Sequence, residues 1–80
     1  MRLDKFLKVS RILKRRTVAN AACGAGRVSV NGRASKPGAQ LKVGDIVEVG
    51  FGSGALKFEV LQLNETAGKA AAELMYRVIE

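Results

Sequence analysis

The 80-residue chain has no histidine, no tryptophan, one cysteine and one proline. Without histidine it lacks the usual general base of a catalytic triad and the commonest metal ligand. A single thiol, Cys23, excludes an internal disulfide, and one thiol with no imidazole leaves nothing to build a zinc site from. Cys23 lies among alanines and reads as a small buried apolar side chain rather than a redox centre. Aromatics are limited to Phe6, Phe51, Phe58 and Tyr76. Phe58 alternates with apolar neighbours and reads as core, which argues against a sheet that stacks bases on exposed rings.

No apolar run approaches the roughly 18 to 20 residues needed to span a bilayer. The N-terminus alternates charged and apolar residues, unlike the core of a signal peptide. The expectation is a cytoplasmic protein with no membrane partner. No GxxxxGK[ST] phosphate loop occurs. The "GFGSG" of residues 50–54 resembles a dinucleotide fingerprint only superficially, because no helix is predicted after it. Asp45, Glu48 and Glu59 fall at ordinary surface positions of predicted strands and turns. The chain is therefore expected to hold no catalytic site, no metal and no cofactor.

What the chain does have is charge on one side. Residues 1–44 hold eleven Lys/Arg against one acid, Asp4, for a balance of +10. Residues 45–80 hold three against six acids, for −3. A domain this small buries only about 60 to 65% of its unfolded surface, which leaves little room for a supported deep pocket. One domain over residues 1–80 that works through a basic surface, on a polyanion such as nucleic acid, fits both facts.

The periodicity predicts a helix over 2–9, with Leu3, Phe6 and Leu7 on one face, Lys5 and Lys8 opposite, and Asp4 supporting Lys8 at i, i+4. A second helix is predicted over 17–23, with Thr17 as N-cap, Val18, Ala21 and Ala22 sharing the face that packs on the first helix, and Gly24 and Gly26 ending it. Ile12 and Leu13, in the intervening "SRILKRR", are predicted core anchors. Val28 and Val30 flank Ser29, and Asn31-Gly32 supplies a hairpin turn with φ > 0 at both positions. Further turns are predicted at 36–38 and Gly44-Asp45, strands at 46–49 and 56–61, a loop at 52–54, a helical turn near 66–74 and a closing strand over 75–79. The order is α-α-β-β-β-(α)-β. It predicts an α+β fold, with two N-terminal helices packed on one side of a small antiparallel sheet.

The stretch "SRILKRRTVANA" (10–21) places Arg11, Lys14, Arg15 and Arg16 before the second helix with no compensating acid. Cations there oppose the helix dipole in the free protein. The same end offers free N–H groups to an anion, and an arginine fork can grip two phosphate oxygens. Arg15 and Arg16 are read as a phosphate clamp, and backbone and shape recognition of folded RNA suits such a reader.

The run from "RLDKFL" to "TVANAACGAGRVSVNG", two short helices and a V-x-V-N-G hairpin over residues 1–49, resembles the S4 RNA-binding domain family. The beginning, "MRLDKFLKVSRILKRRT", and the end, "AAELMYRVIE", are similar to small stand-alone members of that family from bacterial ribosome-associated quality control. The resemblance implies a non-enzymatic monomer that binds stalled large ribosomal subunits through 23S rRNA and peptidyl-tRNA. It also implies support for C-terminal alanine tailing by an RqcH-type tailing factor. Arg2, Arg15 and Arg16 match the family's RNA-contact pattern. Lys5, Arg11 and Lys14 join them on charge and predicted exposure, and Asp4 adjoins Arg2, either to orient it or to stabilise the helix. A heat-shock relative that binds free large subunits suggests an assembly or recycling factor instead. From another class, the −3 half suggests a protein-interaction adaptor.

Overall fold

The computed structural model describes residues 1–52 and 54–79. Helix α1 spans Leu3–Val9 and buries Leu3, Phe6 and Leu7 completely, the stripe that the spacing predicts. Its first two N–H groups are not left to solvent. Those of Leu3 and Asp4 donate to the carbonyls of Ala39 and Pro37 at 2.8 and 3.1 Å, so a later loop closes the helix start. The helix stops where Arg11 enters the left-handed region at φ 63°.

Helix α2 spans Arg16–Gly24. Thr17 is not its N-cap. Arg15 takes that place, extended at φ −133°, ψ 144°, with no side-chain capping bond. An ion pair between Arg16 and α1 anchors the start instead, which leaves Thr17 inside the first turn. Gly24 remains helical, and Gly26, at φ 76°, is the stop. Its N–H donates to the Cys23 carbonyl and that of Arg27 to Ala22, both at 3.0 Å, the paired closure that favours glycine. The buried face of α2 is Ala19 and Cys23, with Ala22 half-buried against the core, while Val18 and Ala21 are exposed. Arg16, Ala19, Asn20 and Cys23 form one helical stripe, and the contacts of Arg16 and Asn20 with α1 turn that stripe inward.

All strands are antiparallel, in the order β2-β1-β3-β4-β5: β1 Val28–Val30, β2 Arg33–Ala34, β3 Ile46–Phe51, β4 Gly54–Val60 and β5 Tyr76–Val78. The short α3, Lys69–Ala72, precedes β5. The strand beyond the predicted four is β2, the return arm of the hairpin, whose turn has Asn31 at φ 52° and Gly32 at φ 84°. β3 runs two residues further than expected and Gly54 already belongs to β4; Ser53 of the expected loop lies outside the described residues. β4 ends at Val60, so Leu61 falls beyond it.

One sheet face carries Val28, Val47, Val49, Phe58 and Val60 into the core, and the other presents Glu48, Lys57 and Glu59. Phe6 of α1 stacks on Phe58 at 6.0 Å, and Tyr76 meets the same ring edge-on at 5.5 Å. The Phe6–Phe58 contact locks α1 to one face of the sheet. Ile12 and Leu13 are half-buried and pack against the core from its edge.

Candidate nucleic-acid interface

The sole acid of the basic half sits at the centre of the site. Asp4 is 1% exposed. Its carboxylate accepts from Arg2 Nε at 3.2 Å and Arg2 Nη2 at 3.3 Å, a two-pronged grip. Arg16 Nε lies 3.5 Å away on the other helix, Asn20 Nδ2 donates at 3.4 Å, and the Lys5 backbone N–H donates at 2.8 Å. Burial alone would raise the Asp4 pKa; the Asn20 and Lys5 hydrogen bonds and the Arg16 charge outweigh it and hold the carboxyl below its ordinary value. Asp4 therefore stays ionised and fixes two guanidinium groups, each about half exposed, at the junction of α1 and α2. The i, i+4 pairing with Lys8 expected from sequence gives way to these partners.

The six expected contact residues do not form one cluster. Arg2 and Arg16 are joined through Asp4. Lys5 is turned away and paired with Glu65 Oε1 at 2.7 Å, its charge met by an acid of the second half. Arg11 and Lys14 line a separate concavity of about 430 Å³ together with Lys8 and Glu65. Arg15 is exposed at the N-cap of α2. Among the described residues, Arg11, Lys14 and Arg15 make no ion pair. Arg11 also holds a left-handed backbone, which costs a non-glycine residue about 1 to 2 kcal/mol, at a place where glycine would be free of strain.

Two residues at the site escape a reading based on the cation run alone. Asn20 lies one helical turn beyond Arg16, and helical spacing from Arg16 would have found it. Lys36 reaches the site only because the loop 35–39 folds back on the start of α1, which nothing local encodes. Cys23 packs beneath α2 as expected; burial, and then the Asp4 charge, push its thiol pKa up, so it remains a protonated, inert thiol. No cluster that could hold a metal, and no helix long and apolar enough to cross a membrane, occurs among the described residues.

The model of the S4 domain family matches residues 1–47. The RQC P-site tRNA stabilizing factor of Streptococcus pneumoniae is 49% identical over 79 residues, covering 99% of this chain and 90% of that protein. The factor of the same name from Bacillus subtilis is 44% identical over 80 residues, covering 100% and 93%. Among solved structures, the trimeric heat shock protein 15 of Vibrio cholerae superposes with a TM-score of 0.89 at 26% identity, covering 98% of this chain and 80% of that one.

Proposed function

The chain belongs to the S4 domain family, and on that premise we propose that it is a non-catalytic RNA-binding factor of bacterial ribosome quality control. It binds stalled large ribosomal subunits in the cytoplasm and steadies the peptidyl-tRNA on them. Its contacts are with 23S rRNA and with the tRNA. It acts as a monomer, and by holding the tRNA it supports alanine tailing of the nascent chain by an RqcH-type factor.

The observation that carries this reading is the Asp4-held pair of Arg2 and Arg16. Two guanidinium groups fixed on a rigid helix junction lose little entropy on gripping phosphate. Arg15, Arg11 and Lys14 extend the positive surface along the interhelical loop, and Lys5 joins them once RNA competes with Glu65. The names of relatives 44–49% identical to the chain point to the same process.

Co-sedimentation with purified large subunits, with and without peptidyl-tRNA, tests the proposal. Binding should favour the tRNA-bound subunit and fall with salt. Neutralising about 5 to 7 phosphates predicts a slope of log affinity against log salt of roughly −4 to −6. Binding indifferent to salt would sink it. The likeness to heat shock protein 15 supports a second reading, a factor for free large subunits, which predicts equal binding to both forms.

A further inference from the structure

The concavity lined by Arg2, Asp4, Arg16, Thr17 and Asn20, about 400 Å³, shares Arg2 and Asn20 with a second of about 610 Å³. The shared residues make the two one trough. Its near wall is the first turns of α2, and its far wall is the loop of Ser35, Lys36, Pro37 and Gly38. That loop is not free to swing. The Pro37 and Ala39 carbonyls cap α1, and Arg2 bridges Gln40. A Cβ on Gly38 would stand 3.8 Å from Arg2 Nη2, so the loop backbone runs in contact with the guanidinium. Lys36 is exposed and makes no ion pair among the described residues.

Donors and acceptors are unequally distributed in the trough. Arg2, Arg16 and Lys36 can only donate. The ionised Asp4 can only accept, which forces the amide nitrogen of Asn20 toward it, at 3.4 Å. Asn20 Oδ1 is thereby left as an acceptor, and it receives no hydrogen bond among the described residues. A phosphate has no donor to offer this oxygen, and neither does the sugar of a DNA strand. The RNA backbone offers one donor, the ribose 2′-hydroxyl. Thr17 can donate or accept and so selects nothing.

We propose that this trough seats one nucleotide step of an RNA strand, with phosphates on Arg2–Arg16 and on Lys36, and that Asn20 Oδ1 accepts from the 2′-hydroxyl between them. The proposal rests on the RNA-binding reading above and adds the class of strand the clamp selects, Asn20 as the residue that selects it, and Lys36 as a second phosphate contact.

The test uses a fluorescein-labelled RNA stem-loop and its 2′-fluoro counterpart, which keeps A-form geometry and removes the hydroxyl donors. Wild-type protein should bind the RNA about 3- to 10-fold tighter, the range of one neutral hydrogen bond. Asn20→Ala should bind the two strands with equal affinity, the preference of about 3- to 10-fold gone, whatever both lose through the weaker hold on Asp4. Lys36→Ala should weaken both strands equally and lower the salt slope by about one. Equal wild-type affinities would overturn the proposal. So would equal losses in Asn20→Ala, which would place Asn20 behind Asp4 as a support. Arg16→Ala separates the two levels: it should weaken both strands, and if it weakens neither, the RNA-binding reading itself falls.

Discussion

The two halves of the chain share one core but distribute charge in opposite ways. Leu3, Phe6, Leu7, Ala19 and Cys23 come from the basic half, and Val47, Val49, Phe58, Val60 and Met75 from the acidic half; they pack into a single cluster. Three acids of the second half have a cation beside them. Glu59 pairs with Arg77, Glu48 faces Lys57 across the strands, and Glu65 takes Lys5. In the first half a single buried carboxylate serves two arginines, and several other cations stand unpaired among the described residues. Folding accounts for the core in both halves, but it does not account for the unpaired cations of one. The unneutralised surface is where the proposed RNA contact is placed.

If both halves are equal contributors to the core, truncating either should cost alike. Phe58→Ala removes the ring between Phe6 and Tyr76 and should destabilise by about 3 to 5 kcal/mol; Leu7→Ala should cost about 2 to 5. Urea unfolding reads both. An unchanged midpoint in either variant breaks the shared-core comparison at that half.

This core was legible because its signals are local. Period-two alternation placed Val47, Val49 and Phe58 inward, period 3.6 did the same for Leu3, Phe6 and Leu7, and Asn31-Gly32 set the hairpin. α2 was less legible because its residues are small. Alanine fits either face, so the choice fell to Arg16 and Asn20, whose partner lies on another helix. The hold of Asp4 on Arg2, two residues away, was legible, but its hold on Arg16 and the pairing of Lys5 with Glu65 were not: those partners lie 12 and 60 residues away, where only the folded topology brings them close. The cations themselves were readable as candidates, but their division into an anchored pair and a loop group was not.

Asp4→Asn strikes the feature that sets the basic half apart. It removes a buried charge while keeping some hydrogen bonds, so a loss of about 1 to 3 kcal/mol is expected. It also leaves Arg2 and Arg16 unheld, and about a tenfold weaker affinity for large subunits should follow. The pH dependence gives a second readout. The Asp4 carboxyl is held below its unfolded value of about 3.9. Its contribution is therefore complete above that value and is lost as pH falls through the folded pKa. Asp4→Asn should flatten the acid limb of the stability curve, and an unchanged acid limb would show that other carboxylates govern it.

Arg16→Ala separates binding from folding. Arg16 is about half exposed, and Asp4 keeps Arg2, Asn20 and the Lys5 N–H when it is gone. Stability should fall by less than about 1 kcal/mol, since screening by solvent limits what a half-exposed ion pair contributes. Subunit affinity should drop about tenfold. A larger loss of stability with binding intact would make Arg16 a structural strut between the helices.

Glu48→Lys carries the smallest expected effect and bears most directly on the acidic half. Glu48 stands on the open sheet face directly opposite Lys57. Reversal sets two ammonium groups across the strands, which costs roughly 0.2 to 1 kcal/mol. The open face is opposite the one that packs on the helices, and the charge sits far from the Asp4 site along the chain. If RNA meets the protein only through the basic half, subunit affinity and the salt slope should stay at wild-type values. A slope steeper by about one would mean that the added lysine meets a phosphate, and that the RNA footprint extends onto the sheet. Loss of tailing activity with subunit binding intact would mean instead that this face serves a protein partner, and the division between an RNA-binding half and a supporting half would have to be redrawn as one between two binding faces.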